Sequence, residues 1–190
     1  MKQHYFYLFF FMLLGLLPEV KAQSMQFTGS NPMLISISDG KKNYLFTAPE
    51  IKGRYNNRLK RFEFVLMVAN ISPKPNSSLL VSLFNFIFHP DQSEEVHMFA
   101  YLPSETRGFE GFVNPRTLLL TGQIEIAGKS YQLPITMNLK YTSGILYYGL
   151  QGLIASDFGI IASTGEEKEI HPREIQFVIP ESPMGIYMED

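Results

Sequence analysis

Apolar and polar residues alternate with a period of two along most of the chain, the pattern of strands that bury one face. The clearest run covers residues 131–142, where every odd position is apolar and every even position except Pro134 is polar. A shorter run, 33–38, stops at Asp39-Gly40, which is a strong turn signal. These runs predict antiparallel strands with an apolar inner face and a polar outer face.

Further segments extend the same pattern. Residues 62–68 are largely apolar on both faces, which predicts a central and well-covered strand, and the runs 118–126, 145–154 and 175–179 follow. Pro134 occupies an outward position and has no amide donor, which suggests a bulge or an edge there. The expected fold is mainly β, a closed antiparallel barrel of about eight strands with one short helix. A two-sheet sandwich satisfies the same periodicity and stays open as the alternative.

One stretch, "SSLLVSLFNFIF", departs from the period of two. Leu80, Phe84 and Ile87 fall at helical spacing after a serine pair suited to N-capping. With a period of two residues, Phe84, Phe86 and Phe88 would instead lie on one face of a strand. We favour the helix over residues 79–88, because the serine cap and prolines on both sides frame it.

The first residues of the chain predict a secretory signal peptide. A basic start is followed by an apolar run over residues 5–17, then Pro18, with Val20 and Ala22 at the −3 and −1 positions of a cut after Ala22. The apolar run is shorter than the roughly 20 residues that span a bilayer. We therefore expect a signal peptide over residues 1–22 and a single domain over residues 23–190 that lies in the periplasm or the extracellular space, without a transmembrane span after cleavage. An uncleaved anchor is the alternative.

Composition narrows the classes of function. The formal net charge is −2 and no basic cluster occurs, which argues against nucleic-acid binding. Cysteine is absent, so an exported domain must be held by its core rather than by disulfides. The chain has 16 phenylalanines and 10 tyrosines but no tryptophan, more aromatic volume than a small core requires.

Asp157-Phe158-Gly159 spells the magnesium-binding triad of protein kinases. The glycine-rich loop, the strand lysine and the catalytic loop that must accompany it are absent from the sequence. The triad is therefore interpreted as a turn, in which Asp157 accepts hydrogen bonds from nearby amides and Gly159 adopts backbone angles that other residues resist.

His89-Pro90-Asp91 matches the triplet of J-domains, but here it is interpreted as the turn that stops the helix. His89, Asp91, Glu94, Glu95 and His97 are a candidate metal cluster whose spacing matches no compact zinc pattern, so a solvated loop is favoured. No nucleophile elbow or phosphate loop occurs. We therefore nominate no catalytic residue and no metal ligand, and a hydrolase using this cluster is the third hypothesis.

The stretch "LLLTGQIEIAGKSYQLPITMNLKY" followed by "IASDFGI" resembles the end of a YceI-like domain, and "SSLLVSLFNFIF" with "EEVHMFAYLP" resembles its middle. The resemblance implies a lipocalin-like barrel, exported to the periplasm, from a family that includes polyisoprenoid binders, and it implies no enzymatic activity. It carries over only structural turn residues: Gly128, Asp157, Phe158 and Gly159. The chain departs from the family where apolar residues replace the usual charged ones of the helical segment.

A barrel of this size either fills with its own side chains or holds one ligand. The preferred function is an exported carrier or sequestering protein for an apolar small molecule or lipid. No cofactor is expected, and the favoured candidate for the bound molecule is a polyisoprenoid or an isoprenoid quinone. The alternative is an envelope interaction or structural protein with a filled barrel and an exposed apolar helix, and a homodimer is left open. The candidate cavity residues are Phe62, Phe64, Leu66, Leu80, Phe84, Tyr131, Leu133, Ile135, Met137, Leu139 and Phe177.

Overall fold

The computed structural model describes residues 24–26, 31–56, 58–105, 114–143, 145–162 and 169–184. The signal peptide predicted over residues 1–22 lies outside the described residues. Within the described ranges, none of the helical structure is long and apolar enough to cross a membrane.

In the described ranges, the secondary structure consists of short and long strands with one α-helix. The elements are β1 Ser24–Gln26, β2 Met33–Ser38, β3 Asn43–Ala48, β4 Lys52–Asn56, β5 Arg61–Met67, β6 Ser72–Lys74, α1 Ser78–Phe88, β7 Glu95–Tyr101, β8 Arg116–Ile126, β9 Lys129–Thr142, β10 Ile145–Ala155, β11 Ile161–Ala162, β12 Glu169–Ile170 and β13 Glu174–Met184.

An 11-stranded sheet in the order β1-β4-β5-β7-β8-β9-β10-β13-β2-β3-β6 forms the body of the molecule, and β11 and β12 pair separately. Neighbouring strands are antiparallel, so the mainly β, antiparallel prediction is confirmed, with more strands than the expected eight because short strands border the long ones. The rings of Phe64 in β5 and Tyr148 in β10 lie 5.9 Å apart, although β7, β8 and β9 lie between these strands. The sheet therefore curls into a half-barrel of the lipocalin-like class instead of a sandwich. The expected closure is wrong for the described strands, because β1 and β6 are the two edges of the sheet.

The helix lies across one end of the half-barrel. The β2–β3 turn at Asp39–Gly40 and the β8–β9 turn at Ala127–Gly128 mark this end. α1 follows β6, which pairs with β3, and it contacts β6 and β11. We call this the helix end. The β9–β10 turn lies at the opposite end.

Local signals account for the bounds of α1. The Leu80 N–H donates to Ser77 Oγ (3.3 Å), which caps the first turn. At the other end the His89 N–H donates to Asn85 O (3.1 Å), and His89 takes a left-handed conformation just before Pro90. The helix prediction and the helix-stopping turn at His89-Pro90-Asp91 are confirmed, and the strand alternative for this segment is wrong.

Charge pairs lie on the outer face of β4 and β5. Glu63 is nearly buried and accepts from Arg54 Nε and from Arg61 Nε (2.6 Å for Arg61), while the Arg61 guanidinium lies 4.8 Å from the ring centroid of Phe99. Burial opposes ionisation of Glu63, but the hydrogen bonds from the two arginines outweigh it and hold the pKa of Glu63 below its ordinary value. This network holds the outer side of the wall at these two strands.

Candidate functional site

The concave face of the half-barrel is apolar. The structure places the candidate residues of the sheet on this face, and Leu80 and Phe84 come from α1. All of them are buried except Phe84 and Tyr131, which are partly buried and pack against the core. The sequence pattern thus brings one continuous apolar surface together, and its partly exposed members belong to the helix end.

Aromatic rings form a ladder across the interior. Ring centroids are separated by 4.9 Å between Tyr55 and Phe62, by 6.3 Å between Phe62 and Phe64, and by 5.9 Å between Phe64 and Tyr148. These separations are typical of favourable aromatic pairs. Burial raises the pKa of Tyr148 well above its ordinary value, so its hydroxyl stays protonated throughout the physiological range. The ladder closes the interior between β5 and β10.

Two glycines allow side chains of β9 to lie flat on the sheet. A Cβ placed on Gly122 would overlap Cδ1 of Ile135, and a Cβ placed on Gly152 would lie 2.8 Å from Leu133 Cδ1. Ile135 and Leu133 therefore occupy the space that side chains at these two positions would take. The interior is filled by the protein's own side chains at this part of the sheet.

Packing is more open at the helix end. The ring of Phe84 lies 6.5 Å from that of Phe46 in β3 and 5.4 Å from that of Phe88, yet Phe84 is only partly buried. Leu79 and Phe86 are partly buried as well. The accessible aromatic surface at the helix end is therefore contributed by α1 itself.

The wall of the half-barrel has a seam between β9 and β10. These strands pair from Ile145–Thr142 as far as Gly152–Ile135 and no further. Beyond that point β9 stays paired with β8 and β10 stays paired with β13. Pro134, the first β9 residue past the last pair, is exposed and has no amide to donate. We call the unpaired interval, residues 129–134 facing 153–155, the seam.

The Asp157-Phe158-Gly159 turn follows the seam directly. The Gly159 N–H donates to Asp157 Oδ1 (3.0 Å), and Gly159 has a φ of +94°, which favours glycine. The ring of Phe158 lies 5.7 Å from that of Tyr131 on the other side of the seam. Here Asp157 accepts a hydrogen bond from its own turn, as in an Asx-turn.

Gly128 lies in the turn between β8 and β9. Ala127 and Gly128 have φ values of 50° and 73°, the left-handed geometry at both central residues that a two-residue type I′ hairpin requires. Nothing lies within 4 Å of the position of a Cβ on Gly128, so its backbone angle and not crowding favours glycine.

The polar cluster after the helix is a surface feature. His97 Nε2 lies 3.0 Å from Glu95 Oε2, and together with Glu125 they border a shallow depression. Among the described residues, no three histidine, aspartate or glutamate side chains are placed to hold a metal ion.

Several interior residues were missed by the sequence pattern: Phe46, Tyr55, Phe88 and Tyr148. Phe46 stands in a recognisable alternating run and could have been assigned to the inner face. In β10 the even positions, Tyr148 among them, are the buried ones, but Ile145, Tyr147 and Leu153 make the other face apolar in sequence as well. Local periodicity therefore could not identify Tyr148 as an inward residue.

The curled antiparallel sheet with an apolar concave face and one helix across its end defines the class, a lipocalin-like half-barrel. No protein-family model and no curated protein matches the sequence.

Solved structures do match. BcnA of Burkholderia cenocepacia is 11% identical with a TM-score of 0.52, over 78% of this chain and 92% of that one. A polyisoprenoid binding domain from Saccharophagus degradans, implicated in plant cell wall breakdown, is 9% identical with a TM-score of 0.49, over 83% and 98%. A mutant CJ YceI protein is 13% identical with a TM-score of 0.43, over 76% and 85%. At these identities the likeness concerns the fold alone, and the fold that the YceI-like resemblance implies is confirmed.

Proposed function

We propose that this chain is an exported, non-enzymatic binding protein that holds one apolar chain molecule, a polyisoprenoid, isoprenoid quinone or related lipid, against the concave face of the half-barrel. The observation that carries the proposal is the continuous apolar face, whose partly exposed aromatic residues, Phe84 of α1 and Tyr131 of β9, lie at the helix end. The sequence resemblance to YceI-like domains supports the ligand class, and the predicted signal peptide supports the location.

Apolar contact is sufficient for binding at such a face. Each CH₂ group of a lipid chain that leaves water gains roughly 0.8 kcal/mol, so a long chain needs no charged partner. The candidate residues of the sheet and helix are uncharged. A ligand would therefore be selected by length and shape more than by a charged head group.

Binding requires that α1 moves, because Leu80, Leu83, Ile87 and Phe88 are buried in the present arrangement. α1 contacts β6 and β11, which are strands of three and two residues. Short strands contribute few cooperative backbone hydrogen bonds, so this end opens at a lower cost than the long strands.

A filled scaffold is the second candidate, and the packing of Ile135 against Gly122 and the aromatic ladder favour it. In this case the exposed side of α1, where Val81 is 42% exposed, would contact a protein partner. Recovery of envelope proteins with the purified chain tests this candidate. Recovery that is unchanged by Val81→Asp would exclude the exposed side of α1 as the contact, because Val81 lies on that side whereas Leu80 is buried.

Native mass spectrometry and organic extraction of protein purified from its own host test the first candidate. We expect a stoichiometric apolar molecule that is released by solvent. Phe84→Asp should abolish its retention, whereas Leu119→Asp should retain it, because Leu119 is 84% exposed on the outer face. A folded protein that never retains or takes up a prenyl lipid would contradict the proposed function.

A further inference from the structure

We infer that the seam between β9 and β10 is the passage through which the apolar ligand reaches the interior, and that Phe158 closes it by packing on Tyr131. This inference rests on the proposed function. It adds a route and names the residues that control it.

The two sides of the seam are held by different neighbours. On one side, residues 129–134 of β9 pair with β8, and on the other, residues 153–155 of β10 pair with β13. No backbone pairing joins the two sides among these residues, all of which the structure describes. The sides can separate while the ladders behind them remain intact.

The backbone of the Asp157 turn is hydrogen-bonded to the β13 side of the seam. The Ser156 N–H donates to Arg173 O (2.9 Å) and the Phe158 N–H donates to Pro172 O (3.4 Å), which fixes the turn beside β13. The Phe158 side chain reaches the opposite side and meets Tyr131. Separating the two rings breaks none of these backbone hydrogen bonds, so the closing contact is an aromatic pair of modest strength.

The helix α1 also borders the seam, beside the Asp157 turn. A Cβ on Gly159 would lie 3.4 Å from Phe86 Cζ, so the turn passes close to this ring. Movement of the turn away from Tyr131 and movement of α1 are therefore coupled through Phe86.

The passage leads directly to the binding face. Tyr131 and Leu133, which border the seam on β9, both face the interior, and Leu133 lies over Gly152 where pairing ends. Toward the opposite end, the Phe64–Tyr148 contact closes the interior. A chain molecule that enters at the seam reaches the surface beneath α1 without crossing the aromatic ladder.

Stopped-flow binding of all-trans-retinol, a fluorescent isoprenoid alcohol, tests the passage. The absence of tryptophan leaves the probe signal free of indole emission. Phe158→Ala should raise the association and dissociation rates about 2- to 10-fold, the factor expected from loss of an aromatic pair, with little change in Kd. Tyr131→Ala should raise both rates as well, and here Kd should also rise because Tyr131 belongs to the binding face. Phe158→Leu is the milder variant if the alanine variants unfold. Tyr147→Ala, on the paired part of β10, is the matched control and should change neither rate.

A covalent bridge provides the opposite test, since the natural chain has no cysteine. Tyr131→Cys with Phe158→Cys, joined by bismaleimidoethane, should slow both rates strongly, whereas each single variant treated with the same reagent should not. Retinol uptake at an unchanged rate through the bridged protein would overturn the passage and leave the proposed function standing. Failure of the unmodified protein to take up retinol or a prenyl lipid would overturn the proposed function, and the passage with it.

Discussion

Strand β9 is joined differently to its two neighbours. Toward β8 it is paired from Lys129 to Leu139, and toward β10 its pairing ends at Ile135. Where both ladders are present, Ile135 packs over Gly122 without spare room. Where the second ladder is missing, the Tyr131–Phe158 ring pair joins β9 to the turn that follows β10. The comparison shows how one strand can belong to a rigid wall on one side and border an opening on the other.

The largest effect should come from deleting a ring in the fully paired part of the wall. Phe177 is buried and lies between Gly152 and Ile35 in the register of β13. Phe177→Ala should lower the free energy of unfolding by about 3–5 kcal/mol, because a buried ring leaves a cavity that the sheet cannot collapse into. Urea unfolding followed by circular dichroism measures the loss of unfolding free energy. The control is Val178→Ala, because Val178 is half-buried on the outer face. A loss no larger than that of the control would show that this region is not packed as described.

A smaller effect is expected from crowding the same region. Gly122→Ala should cost about 1–3 kcal/mol of unfolding free energy, because its methyl group competes with Ile135 Cδ1. Adding Ile135→Val removes that atom, so the double variant should be more stable than the sum of the two single changes predicts. Strict additivity in a double-mutant cycle would contradict the contact.

Acid should lower the stability that the Glu63 ion pairs give to β4 and β5. Because the pKa of Glu63 is lower in the folded protein than its ordinary value of 4.5, its contribution to stability is present above pH 4.5 and is lost as the pH falls through the lowered value. Glu63→Gln should be less stable than the natural protein at neutral pH and should lose less stability on acidification. Urea midpoints measured from neutral pH to below 4.5 check the sign, and parallel pH profiles for the two proteins would refute it.

The smallest effect is expected at the turn of the β8–β9 hairpin. Ala127 has a positive φ at the first central position of a type I′ turn, where asparagine is preferred. Ala127→Asn should raise the free energy of unfolding by about 0.5–1 kcal/mol, and Ala127→Val should lower it, because a β-branched residue resists this conformation. Thermal unfolding of both variants provides the measurement, and a destabilised asparagine variant would contradict the turn assignment.

The parts of the fold that depend on neighbouring residues could be predicted from the sequence. The alternation along β9 and the Ser77 cap of α1 are local signals, and both correspond to observed elements. Pro134 indicated an edge, and it lies where the β9–β10 ladder ends.

The contacts across the interior could not be predicted in this way. The Phe64–Tyr148 and Tyr131–Phe158 pairs join residues that are distant in sequence and depend on how far the sheet curls. Alternation assigns a side chain to a face of a strand, but it does not say which strands meet across the concave side. The seam itself has the same origin, because it reflects where two adjacent strands diverge.

The most direct test of the account is to locate the bound ligand. A photoreactive geranylgeraniol analogue, activated after binding and followed by peptide mass spectrometry, identifies the side chains that it contacts. We predict saturable labelling of residues on the concave face and beneath α1, including Phe46, Phe84 and Leu133, which excess geranylgeraniol suppresses. Labelling confined to outer-face residues such as Leu45 and Leu119, or labelling that excess geranylgeraniol does not suppress, would contradict the account.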